Sequence, residues 1–211
     1  MTRRTTLSRT AVLLGTLAAA ALTSACAPLL VGGAVVGTSM LVTDRRTSGT
    51  QLEDQAIELK ARTRIREAVG ERGHVNVTSY NRTVLLTGEA AADTDKVAIE
   101  QAVAKVEGVR SVVNEVAVMG SSSLASRSQD AILTSKVKAS YIDAKDVFTN
   151  AIKVTTERGI VYLMGRVTER EANRASDIAR GVSGVQKVVR VFEVITEAEL
   201  AELQPKQAQK Q

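Results

Sequence analysis

The sequence predicts an α+β protein in which one small unit is written twice, each copy placing two helices on one face of a three-stranded mixed sheet. Three observations carry this. The segment VNVTSYNRTVLLTG at 75–88 lies over IKVTTERGIVYLMG at 152–165 without a gap, and VEGVRSVV at 106–113 lies over VSGVQKVV at 182–189 once a residue is dropped from the helix between them. The spacings, 77 and then 76 residues, are those of a duplicated structural unit. Within each copy the apolar pattern changes from a helical period to an alternating one and back, in the order α-β-β-α-β.

Ahead of the repeats, residues 1–25 read as an export signal. Arg3, Arg4 and Arg9 precede an apolar run from Ala11 to Leu22, which is closed by Thr23, Ser24 and Ala25. Those 12 apolar residues are too few for a helix to cross ~30 Å of hydrocarbon at ~1.5 Å per residue, which is the anatomy of a signal peptide. Cys26, the one cysteine of the chain, follows the small residues directly. There bacterial lipoprotein processing attaches diacylglycerol to the thiol and an acyl chain to the freed amine. LTSAC resembles a lipobox, with Thr23 where Leu is usual. The alternative is a secreted protein cut near Ala25 that keeps Cys26 as a free thiol. Ala27, by analogy with enteric bacteria in which Asp retains lipoproteins in the inner membrane, sends the protein to the periplasmic face of the outer membrane. Residues 26–51 are expected to be a tether, apolar and Gly-rich to Thr43 and a polar linker from Asp44.

The first unit, 52–119, opens on a helix with Ile57, Ala61, Ile65 and Val69 at spacing four; the second, 129–196, opens on one with Leu133, Val137 and Tyr141. A strand follows (Val75, Val77; Ile152, Val154), then a turn at 80–82 or 157–159. Next comes an apolar strand ending at Gly88 or Gly165. A second helix starts near Asp93 or Thr168 and stops before Gly108 or Gly184. The four glycines are expected to serve structural turns. A last strand at 109–118 or 185–195 closes each unit. Residues 120–128, with GSSSLAS, have linker composition. In the tail, 197–211, a short helix over 197–203 gives way to a Lys- and Gln-rich disordered end. About 68 residues is marginal for one core, so the copies are expected to pack on each other or on the N-terminal segment.

The strand pair ending VLLTG at 84–88 and VYLMG at 161–165, with the Val-x-Gly-Val patterns at 106–109 and 182–185, resembles the BON domain. Two such units behind a lipobox resemble the dual-BON outer-membrane lipoproteins. The resemblance implies tandem BON domains without catalytic activity, association with anionic phospholipid, and a part in outer-membrane integrity and at the division site.

Composition narrows the chemistry. Aromatic residues make up 2 % and Trp is absent, so the stacking platforms of single-stranded nucleic-acid binders are missing. Without the signal segment the net charge falls from +5 to +2, and no nucleic-acid partner is expected. The single His74 has no metal-ligating company and no nucleophile elbow accompanies it. Glu169 and Glu171 suit a helix N-terminus, and Gly32, Gly33 and Gly37 lack the Lys-Ser/Thr of a phosphate loop. An enzyme is not expected, nor any cofactor besides the lipid on Cys26.

The copies differ in charge: residues 52–119 carry −2 and residues 129–196 carry +3. On a wheel, the side of the second unit's first helix opposite Leu133, Val137 and Tyr141 carries Ile132, Ser135, Ala139 and Ile142 between Lys136 and Lys138. The equivalent face of the first copy has Leu59 as its one large apolar residue. An apolar centre with lysine shoulders suits an anionic, phosphatidylglycerol-like surface. Two other readings stand beside it. Ile132 and Ile142 could pack on the first unit, or the chain could be an adaptor for an envelope protein partner.

Overall fold

A computed structural model describes residues 44–144 and 146–203. The signal peptide, Cys26, the tether to residue 43 and the end of the tail lie outside the described residues. The first unit consists of α1 (Ser48–Val69), β1 (Gly73–Tyr80), β2 (Thr83–Ala90), α2 (Asp93–Ala104), β3 (Ser111–Asn114) and β4 (Ala117–Val118). The second consists of α3 (Leu124–Ala144), a 3₁₀ turn (Thr149–Ala151), β5 (Ile152–Glu157), β6 (Ile160–Val167), α4 (Glu169–Gly181) and β7 (Lys187–Val194), and is followed by α5 (Glu197–Leu203). In both sheets the middle strand pairs antiparallel with the strand before it and parallel with the strand after the crossover helix. The α+β duplication is therefore as the sequence predicts.

The helices form where the apolar stripes place them. Ile57, Ala61, Ile65 and Val69 are all buried against the first sheet, and Leu133, Val137 and Tyr141 against the second. Both opening helices start earlier than composition suggests. Thr47 accepts a hydrogen bond from Thr50 N at 3.1 Å, and Ser123 accepts one from Ser126 N at 3.2 Å. Each hydroxyl satisfies a free donor of the first turn. The polar residues read as linker thus include helix caps, and α1 and α3 begin inside the tether and the linker.

The last strand of the first unit is interrupted. Leu86 faces Asn114 and Glu89 faces Ala117, so the register is the same on both sides of the break and no residue is inserted. Asn114 causes it. Its side chain accepts from Val116 N at 3.2 Å and donates to Lys96 O at 3.1 Å, a local turn that competes with the ladder. It also folds Val116 into the core, 1 % exposed.

Alternate side chains of β2 and β6 serve two different cores, because successive residues of a strand point to opposite faces. Val84 and Leu86 join α1 and α2; Val161 and Leu163 join α3 and α4. The residues that alternate with them, Leu85, Tyr162 and Met164, meet in a third cluster with Tyr80, flanked by Val113, Val189 and Val191. The units therefore pack sheet to sheet, giving four layers: helices, sheet, sheet, helices. This buries the second face of each sheet, which so small a unit could not cover alone. Lys153 Nζ crosses the seam to Glu58 at 2.9 Å, and Asn76 Nδ2 to Glu157 at 2.8 Å.

The glycines divide into two kinds. Gly108 and Gly184 have φ of 88° and 102° and occupy the expected turns. Gly88 and Gly165 do not. They lie within β2 and β6, opposite Val75 and Ile152, and the strands run on to Ala90 and Val167. A side chain at either would meet a neighbouring carbonyl oxygen, that of His74 or Ala151. Close backbone approach, not a turn, is what requires glycine there.

Candidate functional site

Helix α3 is fixed from below and bare above. Tyr141, fully buried, donates to Ala175 O at 3.1 Å, and Thr134 bonds Thr156 at 2.8 Å. Asp130 accepts from Arg158 N and Gly159 N at 2.8 Å each, tying the helix to the β5–β6 turn. On the opposite side Ile132 is 57 % and Ile142 65 % exposed. Neither isoleucine packs on the first unit. Ser135, Lys136, Lys138 and Ala139 are exposed beside them. Ser135 returns its hydroxyl to Ala131 O at 3.0 Å, so it makes no demand for water.

Two further apolar side chains extend this face or its surroundings. Leu124, 79 % exposed, precedes Ile142 by about five turns at ~3.6 residues each and so lies in line with it. Phe148, just past the helix, is 52 % exposed. Leu124 escapes sequence reasoning because it stands among serines in an apparent linker. Phe148 stands outside any periodic segment.

The first unit supplies an internal comparison. Helix α1 exposes Leu52 as well as Leu59, each 68 %, so exposed apolar residues alone do not set the copies apart. Charge pairing differs more: of the four basic residues of α1, only Arg66 has no ion-pair partner among the described residues. On α1, Lys60 pairs with Glu107 at 3.1 Å, Arg64 with Glu67 at 3.0 Å and Arg62 with Glu58 at 3.6 Å. On α3, neither Lys136 nor Lys138 has an ion-pair partner among the described residues.

The chain that leads in from the tether is held where the units meet. Arg45 forms a two-pronged bond with Glu171, 2.7 Å to each oxygen, donates to Arg166 O at 2.8 Å and lies 5.5 Å from the Phe148 ring. Arg46 bonds Asp54 at 2.8 Å and lies 4.2 Å over Tyr80. Consecutive arginines thus grip different units. Glu171 also completes a capping box with Thr168. Burial opposes its charge, but Arg45 and the Thr168 amide outweigh that and hold its pKa below the ordinary value. Sequence reading assigns Glu171 only to the helix dipole and treats 44–51 as a free linker. The structure corrects both, since a buried carboxylate needs a partner and Arg45 supplies it.

Among the described residues, no three His, Cys, Asp or Glu side chains gather as metal ligands. His74 is half-buried and lies 3.4 Å from Asn76.

The BON domain family model matches residues 53–120 and 129–196, the two units just described. The chain belongs to the BON-domain family. It is similar to outer membrane lipoprotein DolP of Haemophilus influenzae, 38 % identical over 90 % of this chain and 97 % of that one. It is also similar to the 21 kDa hemolysin of Actinobacillus pleuropneumoniae, 30 % identical over 72 % of this chain and 79 % of that one. Osmotically-inducible protein Y of Escherichia coli is 27 % identical over 65 % of this chain and 72 % of its own. No helix of the described residues is long and apolar enough to cross a membrane.

Proposed function

We propose that this chain is an outer-membrane lipoprotein, held at the periplasmic face by acyl groups on Cys26, whose second BON unit binds anionic phospholipid through the outer face of α3. Its role is non-catalytic support of envelope integrity, including at division sites. The similarity to DolP, named for its place in the outer membrane, supports the location. The observation that carries the binding reading is the pair of exposed isoleucines beside two lysines that no carboxylate among the described residues pairs with. Each lysine near an anionic surface contributes ~1 kcal/mol, and the isoleucines add apolar burial. Such a contact is weak alone, but an acyl anchor raises the local concentration of the helix at the bilayer.

A second reading, an adaptor for an envelope protein, is favoured by Leu52 and Leu59. They lie on the layer opposite α3 and so remain free when α3 rests on lipid.

The test uses the chain from residue 26 with Cys26→Ser, floated with phosphatidylglycerol or phosphatidylcholine vesicles. Ile132→Glu and Ile142→Glu are each expected to weaken binding to phosphatidylglycerol at least ten-fold with the circular dichroism unchanged, because both positions are exposed. Unchanged binding in both variants would remove the lipid reading. Retained capture of an envelope protein through Leu52 and Leu59 would then favour the adaptor.

A further inference from the structure

A crevice of about 390 Å³ opens between the N-terminal half of α3, the Arg158–Gly159 turn and the turn at 183–186. It is lined by Gln129, Leu133, Lys136, Gly159, Ser183 and Gln186, with Ile132 also on its wall. The volume falls in the range of small-molecule sites.

The duplication shows what this crevice lacks. In the first unit the equivalent positions carry two ion pairs, Arg82 with Glu53 at 2.7 Å and Lys60 with Glu107 at 3.1 Å. In repeat register, Glu53 becomes Gln129, Glu107 becomes Ser183 and Arg82 becomes Gly159, while Lys60 becomes Lys136. The second copy therefore keeps one cation and has neither carboxylate nor the arginine at these positions. Pairs this exposed contribute little to stability. Their consequence is for local charge, since Lys136 is left in a concave, hydrogen-bonding setting with no ion-pair partner among the described residues.

Lys136 makes no ion pair with the other charged groups around the crevice. Asp130 also lines it, but its two oxygens accept from Gly159 N and Arg158 N at 2.8 Å each. The Arg158 guanidinium is drawn to Glu89, 3.8 Å away across the seam. The side chains of Gln129, Ser183 and Gln186 have no hydrogen-bond partner among the described residues, so an amide from each glutamine and one hydroxyl are available to an acceptor.

We infer that this crevice is a binding site for a phosphate group, with Lys136 supplying the charge and Gln129, Ser183 and Gln186 donating to its oxygens. Charge-assisted bonds to phosphate are the strong class of hydrogen bond. The inference deepens the membrane reading and rests on it only for the source of the phosphate. Ile132 forms part of both the crevice wall and the exposed apolar face, so the acyl chains of a phospholipid whose headgroup sits beside Lys136 would leave along α3. The same chemistry would accept free phosphate.

The experiment follows the amide resonances of the isotopically labelled chain from residue 26 with Cys26→Ser. It is titrated separately with glycerophosphoglycerol, an acyl-free phosphodiester, and with inorganic phosphate. Saturable shifts at Gln129, Lys136 and residues 183–186 with the phosphodiester are expected. Ser183→Glu, which restores the carboxylate the first unit already folds with, should weaken them at least ten-fold. If that variant unfolds, Lys136→Gln at an exposed position makes the same test. Tighter binding of inorganic phosphate at these amides would keep the site and overturn the headgroup as its source. Absence of shifts there with both anions overturns the site. Failure of the site and failure of the membrane reading are separable: Ile142→Glu, which lies outside the crevice lining, should weaken vesicle binding at least ten-fold yet leave the phosphodiester shifts in place. Vesicle binding by the unsubstituted chain without those shifts would sink the crevice alone.

Discussion

Asp54→Ala is expected to lower the melting temperature by about 10 °C, more than any other polar substitution in the chain. Asp54 is 2 % exposed. Its carboxylate accepts from Ser79 Oγ at 2.6 Å, from Asn81 N and Arg82 N at 2.8 Å, and from Arg46 at 2.8 Å. Removing it strands the β1–β2 turn amides and one arginine in a partly buried place. Loss of one partner from such a buried network costs roughly 3–5 kcal/mol, and in a chain of this size each kcal/mol is worth about 2–4 °C. The duplication again provides a scale. Asp130 holds the amides of its own turn but no arginine, so Asp130→Ala should cost about half as much. Thermal unfolding followed by circular dichroism checks both, and equal losses would show that the added bonds from Arg46 and Ser79 contribute nothing.

The same carboxylate sets an acid limit. Burial favours its neutral form, but the bonds from Ser79, Arg82, Arg46 and Asn81 outweigh burial and hold its pKa below the ordinary aspartate value. The folded state therefore keeps this charge to lower pH than the unfolded chain does. Its contribution is complete above the ordinary carboxylate range and drains as pH falls through that range toward the folded pKa. Glu171 acts in the same direction. Glu157 acts in the opposite one. Burial raises its pKa against the bond from Asn76, and neighbouring Glu89 and Asp130 raise it further. It weakens the fold when charged and less so as pH falls.

The second large effect is backbone in origin. A Cβ on Gly88 would stand 2.0 Å from the His74 carbonyl oxygen, with φ at 106°; on Gly165 it would stand 2.4 Å from the Ala151 oxygen. Neither obstacle is the movable end of a side chain, so the strand pair itself must part. Gly88→Ala and Gly165→Ala are each expected to cost about 3 kcal/mol or more by urea unfolding, in the upper range for single substitutions. Gly88→Ala should be the worse, since it adds left-handed backbone strain. Gly120→Ala, where nothing lies within 4 Å, should change stability by less than about 0.5 kcal/mol.

What the sequence disclosed, and what it hid, follows from how far each cause reaches along the chain. Ile57 to Val69 and Leu133 to Tyr141 announce their helices because the spacing is local. The units announce themselves because a duplication is visible in register. Thr47 and Ser123 read as linker residues because a helix cap and a loop use the same side chains. Gly88 and Gly165 read as strand ends because the carbonyl that excludes a side chain comes from the partner strand. VLL at 84–86 and VYLM at 161–164 are apolar on both strand faces, which signals two covered faces without naming the second cover. That cover is the other copy. Arg45, paired with Glu171 across 126 residues of sequence, left no local mark.

The site was partly legible. The wheel put Ile132, Ser135, Ala139 and Ile142 on one face of α3, and all four are exposed. It did not find Leu52, which weakens any contrast based on apolar residues alone. The pairing of Lys60 and the lack of it at Lys136 depend on residue 107 or 183, which only the fold brings beside the helix.

The most direct test of membrane contact through α3 is paramagnetic relaxation on the acylated chain in phosphatidylglycerol nanodiscs bearing a spin-labelled headgroup. The amides of Ile132, Ser135, Ala139 and Ile142 should broaden most, while Leu52 and Leu59, beyond both sheets on the opposite layer, stay sharp. Strongest broadening at Leu52 and Leu59, or equal broadening on both layers, would contradict the account.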